Sequence, residues 1–189
     1  SEAIHTSPAA MGSDFVIDVT CCLQEVEPQA FEVIANLGNA LFEGGRHEEA
    51  LKIYQESLAL KPDSPDAHNN LGRALLALGR KDEAAACFER AVGIAPNHAE
   101  ALYNLGTLRL ASGDVQGAGE SFARAVHQNA AYIDGYLALS KVLFDIGAFN
   151  EALKYLDAVI RIRPEDPEGY VWRGLVLREQ RVGYLKVNP

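Results

Sequence analysis

Residues 65–96 read PDAHNNLGRALLALGRKDEAAACFERAVGIAP, and this stretch decides the fold. Between Pro65 and Leu78 the residues His68, Leu71, Leu75 and Leu78 recur three and four apart. That is the spacing of one helical stripe, and a strand would alternate instead. Gly79-Arg80 then breaks the stripe. A second helix is predicted from about Lys81 to Ile94, with Ala84, Ala85, Phe88, Ala91 and Val92 on one face. Pro96 stops it, because proline cannot donate the backbone hydrogen bond that a continuing helix needs. Two antiparallel helices joined by a short turn result, and neither can bury its apolar stripe without a neighbouring pair.

Working outward, the same markers return every 34 residues. Leu-Gly recurs at Leu37-Gly38, Leu71-Gly72 and Leu105-Gly106, and alanine at Ala50, Ala84, Ala118 and Ala152. Glycine recurs at Gly45, Gly79, Gly113 and Gly147, and an aromatic at Tyr54, Phe88 and Phe122. Pro62, Pro96 and Pro164 keep the step, with Ala130 interrupting it. Gly38, Gly72, Gly106 and Gly174 fall inside predicted helices, where each costs about 1 kcal/mol against alanine. Close helix approach is the simplest compensation, since any side chain there would push the paired helix away.

These residues resemble the tetratricopeptide signature, with Leu-Gly on the first helix of each unit, Ala and an aromatic on the second, and Pro at the end. Four complete units are expected at 31–64, 65–98, 99–132 and 133–166. A partial fifth and a tail occupy 167–189, with a first helix from Pro167 to about Gln180 and then a run, Arg181 to Pro189, too short for a good second helix. Phe15, Val16, Val19, Cys22, Leu23 and Val26 fall at helical spacing, and Pro28 stands 34 residues before Pro62. Residues 14–27 therefore read as the second helix of an incomplete preceding unit, capping the array, with 1–13 a loose tail. The fold class that the resemblance implies is all-α: a superhelix, or α-solenoid of antiparallel helix pairs, whose first helices line a concave wall.

That geometry directs attention to particular places in each unit. The sixth place holds Asn36, Asn70 and Asn104, then Ala138 and Trp172. An amide carries both a donor and an acceptor, so a column of them can bind the backbone of an extended peptide without regard to its sequence. The Asn-Leu-Gly runs resemble the asparagine ladder in the repeat region of O-linked N-acetylglucosamine transferases. The ninth place supplies Asn39, Arg73, Thr107 and Lys141, and Tyr103, Phe144 and Trp172 are candidate aromatic anchors. A clamp for a partner's terminal carboxylate, known in some family members, is disfavoured. Asn39 and Asn70 match two of its places, but Ala35, Glu100 and Asn104 stand where its basic residues belong.

Charge and composition narrow the function. A formal net charge of -9 argues against nucleic acid, whose binding needs clustered Lys and Arg, and favours basic or neutral protein or peptide partners. No run of 18 apolar residues could span a membrane, and the N-terminal sequence lacks a signal peptide's positive start, so a cytoplasmic location is the default. Cys21, Cys22 and Cys87 form no disulfide framework and no Cys-x-x-Cys motif. His5, His47, His68, His98 and His127 fall at unrelated places without a recurring metal or triad spacing. The expectation is a non-enzymatic scaffold without cofactor or metal. Two alternatives stand beside it: the recognition arm of a larger enzyme such as a glycosyltransferase, and a self-assembly module forming a homo-oligomer through the C-terminal helix.

Overall fold

The computed structural model describes residues 30–187, with side chains described from 30 to 182. The expected tail over 1–13 and capping helix over 14–27 lie outside the described residues. Among those residues all regular structure is helical: α1 (30–43), α2 (His47–Leu60), α3 (Pro65–Ala77), α4 (Lys81–Ile94), α5 (Ala99–Ala111), α6 (Val115–Gln128), α7 (Ile133–Asp145), α8 (Phe149–Ile162) and α9 (Pro167–Val187). The chain divides into two compact units, Ser1–Asp63 and Ser64–Pro189.

In the first unit α1 and α2 pair around Tyr54, which is buried. A Cβ on Gly38 would stand 2.6 Å from the Tyr54 ring, so the helices approach as closely as they do only because that residue has no side chain. The Tyr54 hydroxyl donates to Asn39 Oδ1 at 2.8 Å, tying the two helices by a polar bond beside the apolar one.

In the second unit α3–α4 and α5–α6 repeat that contact. A Cβ on Gly72 would meet Phe88 at 2.6 Å, and one on Gly106 would meet Phe122 at 2.7 Å. Both rings are fully buried, so neither can swing aside. In α7–α8 the glycine's place is taken by Ser140 and the ring's by Leu156, and both are buried. Within this unit α4, α6 and α8 also pack on the next first helices, α5, α7 and α9, so its core is continuous from pair to pair. At its end Val176 of α9 joins Ile133, Leu137, Ala152, Leu156 and Val159 in one buried cluster.

Turns between paired helices are made by Gly45, Gly79, Gly113 and Gly147, whose φ values of 74°, 79°, 87° and 78° lie in the left-handed region that favours glycine. The next place in that series, 34 residues on, is Arg181. Without a glycine there the helix does not break, and α9 runs through to Val187 instead of ending near Gln180 as the spacing suggests. Starts are fixed locally too. Ser64 Oγ accepts the Ala67 N–H, His98 Nδ1 accepts that of Ala101, and Asp114 accepts that of Gly117, each satisfying a backbone donor at a helix N-terminus.

Gly174 holds the same place as Gly72 and Gly106, yet nothing lies within 4 Å of where its Cβ would be. One substitution should therefore have opposite effects at two equivalent places. Gly106→Ala should lower the melting temperature, because overpacking against an immobile ring costs about 1–3 kcal/mol. Gly174→Ala should raise it, because it gains about 1 kcal/mol of helix propensity without a clash.

Candidate functional site

The first helices α5, α7 and α9 together line a surface cavity of about 300 Å³. Tyr103 and Thr107 enter it from α5, Asp134, Leu137, Ala138 and Lys141 from α7, and Glu168 from α9, with Leu110 and Phe122 completing the walls. Three of the ten candidate residues, Tyr103, Thr107 and Lys141, thus meet in one place, and Phe144 and Trp172 adjoin them through Lys141.

Lys141 is the hinge of that arrangement. Its Nζ donates to Glu168 Oε1 at 2.8 Å and lies 5.1 Å from the centre of the Trp172 ring. Trp172 in turn meets Phe144 edge-on, with ring centres 6.0 Å apart, and Phe144 leans on Phe149 at 5.9 Å. Both rings are half-buried against the α7–α8 core, which holds them in place while leaving an edge accessible. The Lys141–Glu168 pair is a different matter, because both side chains are substantially solvated. Such a pair is worth about 0–1 kcal/mol, so either partner can exchange it for a ligand's charge at little cost.

Tyr103 sits against two further rings, with Phe122 and Tyr132 each 5.5 Å away and Tyr132 edge-on. Thr107 Oγ1 donates to the Tyr103 carbonyl at 3.0 Å. Burial pushes the Tyr132 phenol well above the ordinary tyrosine range, the charge of Glu100 and the neighbouring Tyr103 and Asp134 add to the effect, and Arg73 opposes it. Tyr132 therefore stays neutral at physiological pH and serves as part of an aromatic wall.

The amides are placed less uniformly. Asn104 Nδ2 donates to Asn69 Oδ1 at 2.9 Å, and Asn69 Nδ2 donates to Glu100 Oε2 at 3.3 Å. Asn69 is 1% exposed while Asn104 is half-buried and Glu100 exposed, so this network is a part-buried bridge between α3 and α5 that fixes the Asn104 side chain. Asn69 is the residue that sequence reasoning overlooked. The only signal for it was its membership of the Asn69-Asn70 doublet, one place before the amide column. Asn70 and Arg73 are half-buried on α3. In the first unit Asn36 is exposed on α1, and Asn39 holds the Tyr54 hydroxyl.

A larger cavity of about 630 Å³ opens between α6, α7 and α8, walled by Val115, Ala123, Leu143 and Ile146 among others. One repeat earlier those places are Lys81, Glu89, Arg109 and Ser112, and the equivalent cavity is more polar. The apolar cavity offers few groups that could orient a peptide backbone, which the face of α5, α7 and α9 does offer.

Among the described residues no group of His, Cys, Asp and Glu is arranged to hold a metal ion, and no helix is long and apolar enough to cross a membrane. His98 is committed to its helix, with Nδ1 on the Ala101 N–H and Nε2 3.0 Å from Asp66 Oδ1. Burial, with the charge of Glu83, pushes the Cys87 thiol up, which keeps it in the poorly nucleophilic form.

Comparison with known proteins places this architecture. Tetratricopeptide repeat models match residues 25–65, 35–99 and 69–133, and a second such model matches 109–170. No curated protein sequence gives a significant match. Among solved structures, a MamA structure is similar at 26% identity and a TM-score of 0.66, covering 79% of this chain and 90% of that one. YrrB, described as a TPR protein with an unusual peptide-binding site, is similar at 22% identity and a TM-score of 0.65, covering 82% of this chain and 84% of that one. PilF of Pseudomonas aeruginosa is similar at 20% identity and a TM-score of 0.75, covering 82% of this chain and 71% of that one. With its family models spanning most of its length and its helix pairs repeating every 34 residues, the chain belongs to the tetratricopeptide repeat family.

Proposed function

We propose that this chain is a non-enzymatic scaffold that binds an extended segment of another protein across the face of α5, α7 and α9. The observation that carries the reading is the cavity in which Tyr103, Thr107 and Lys141 converge beside the Trp172–Phe144 pair. A peptide backbone would run over the first helices, with an apolar side chain entering between Leu137, Ala138 and Leu110. Asp134 and Glu168 on the rim, in a chain of net charge -9, favour a partner with basic or neutral side chains.

The amide column contributes in a reduced form. Fixed by its bond to Asn69, Asn104 presents its carbonyl oxygen to a peptide N–H, as the resemblance to the O-linked N-acetylglucosamine transferase ladder would imply, and Asn36 and Asn70 supply further amides. Hydrogen bonds of this kind are worth about 0.5–1.5 kcal/mol each. Micromolar affinity needs about 8 kcal/mol, so side-chain anchors must supply most of it. Trp172, held edge-on by Phe144 and covered by a labile ammonium, is the anchor of choice.

The test is capture of partners from the source cell by the intact chain, followed by affinity measurement on the captured segment. Lys141→Ala and Trp172→Ala should each weaken binding by about 10-fold or more, equivalent to about 1.4 kcal/mol, while the circular dichroism spectrum stays unchanged. Unaltered affinity in both variants would remove this face from consideration. Asn70→Ala combined with Asn104→Ala should weaken binding by a smaller factor. Asn69→Ala should instead lower stability by about 1 kcal/mol, read from thermal melting, because it removes the hydrogen bonds that tie α3 to α5.

A further inference from the structure

Two successive repeats of the second unit carry the same cavity with different contents. Between α4 and α5 it measures about 300 Å³, and between α6, α7 and α8 about 630 Å³. Lys81, Glu89 and Arg109 of the first become Val115, Ala123 and Leu143 of the second, each 34 residues on. Three long charged side chains are thus replaced by shorter apolar ones, and the space they occupied is open.

Arg109 shows what that space holds when the chain fills it from within. Its guanidinium donates to Ser121 Oγ at 2.9 Å and to the Gly117 carbonyl at 3.3 Å. Gly117 and Ser121 accordingly form no part of the smaller cavity's wall. Their equivalents on α8 are Glu151 and Tyr155, and both line the larger cavity. The repeat that lacks the arginine therefore has a carboxylate and an aromatic ring at the two places where the guanidinium is received one repeat earlier. Those are the groups a guanidinium prefers, a carboxylate for paired hydrogen bonds and a ring for stacking. Glu120 adds a second carboxylate from α6, its Oε1 accepting from Gln116 Nε2 at 3.1 Å, and no Lys or Arg lines the cavity.

The rest of the wall selects the form in which an arginine arrives. Val115 and Ile146 are exposed, and with Ala123 and Leu143 they make the cavity largely apolar. An extended segment would gain few backbone hydrogen bonds there, whereas a helix satisfies its own backbone. We infer that this cavity receives a helix of a partner protein whose inward side carries a large apolar residue and an arginine three or four places apart. The apolar residue packs on Val115 and Ile146, and the arginine meets Glu151 and Tyr155. Residues at that spacing share one helix face, so both enter together. The site is separate from the face of α5, α7 and α9: its occupant is a helix, and neither Lys141 nor Trp172 belongs to it.

The probe is a fluorescent alanine-based peptide of ~16 residues, long enough to be helical by itself, with leucine and arginine four apart. Fluorescence anisotropy on the full chain should give saturable binding. The same peptide with glutamate for arginine should bind at least about 10-fold more weakly. Glu120→Gln with Glu151→Gln should erase that preference. Val115→Lys with Ile146→Ser installs the residues that stand at these places one repeat earlier. It should weaken the arginine peptide by about 10-fold with the helical spectrum unchanged, since both positions are exposed. Lys141→Ala and Trp172→Ala should leave this binding as it is, so the outcome is read independently of the first-helix face. Equal affinity for the arginine and glutamate peptides overturns the inference, as does no binding at millimolar peptide. An arginine preference that survives loss of both glutamates overturns it too. So does undiminished binding to Val115→Lys with Ile146→Ser, which places the contact on another surface.

Discussion

The contact between a helix glycine and a buried ring on the partner helix is what the rest of this structure depends on. α1, α3 and α5 each lie against their second helix at the distance that a missing Cβ permits, and Tyr54, Phe88 and Phe122 fill that space. In these three pairs the alanines at 50, 84 and 118 are fully buried, so large and small residues interlock along each pair. A left-handed glycine then returns the chain within a short turn. With these constraints met, the first helices α5 and α7 within the second compact unit are set side by side, and their side chains form a shared surface.

That surface carries the candidate site. Ninth-place residues turn toward the same side on successive first helices, which is why Thr107 and Lys141 reach one cavity although they are 34 residues apart. The same repetition lets neighbouring units exchange partners. Lys141 borrows Glu168 and Trp172 from α9, and Asn104 borrows Asn69 from α3. A face assembled in this way combines helix-borne positions with exchangeable exposed charges, which suits the recognition of an extended chain proposed above.

Much of the fold was legible in the sequence because it rests on local, repeated events. Leu-Gly, the alanine, the aromatic, the turn glycine and the terminal proline each have one physical meaning and recur in register, so helix positions follow directly. The length of α9 was less legible. Arg181 at the turn glycine's place leaves the helix free to continue, and a missing marker is easier to pass over than a present one. The site was legible only in part. Place numbering brought Tyr103, Thr107 and Lys141 toward one surface, but it could not reveal that Asn104 is bound by Asn69 or Asn39 by Tyr54, since those bonds depend on side-chain geometry.

The most direct measurement is hydrogen–deuterium exchange on the chain with and without its captured partner. Binding across the first-helix face should protect α5, α7 and the first turns of α9, and leave α6 and α8 at their unbound rates. Protection concentrated on α6 and α8, around Val115 and Tyr155, would contradict it and move recognition to the apolar cavity between α6, α7 and α8.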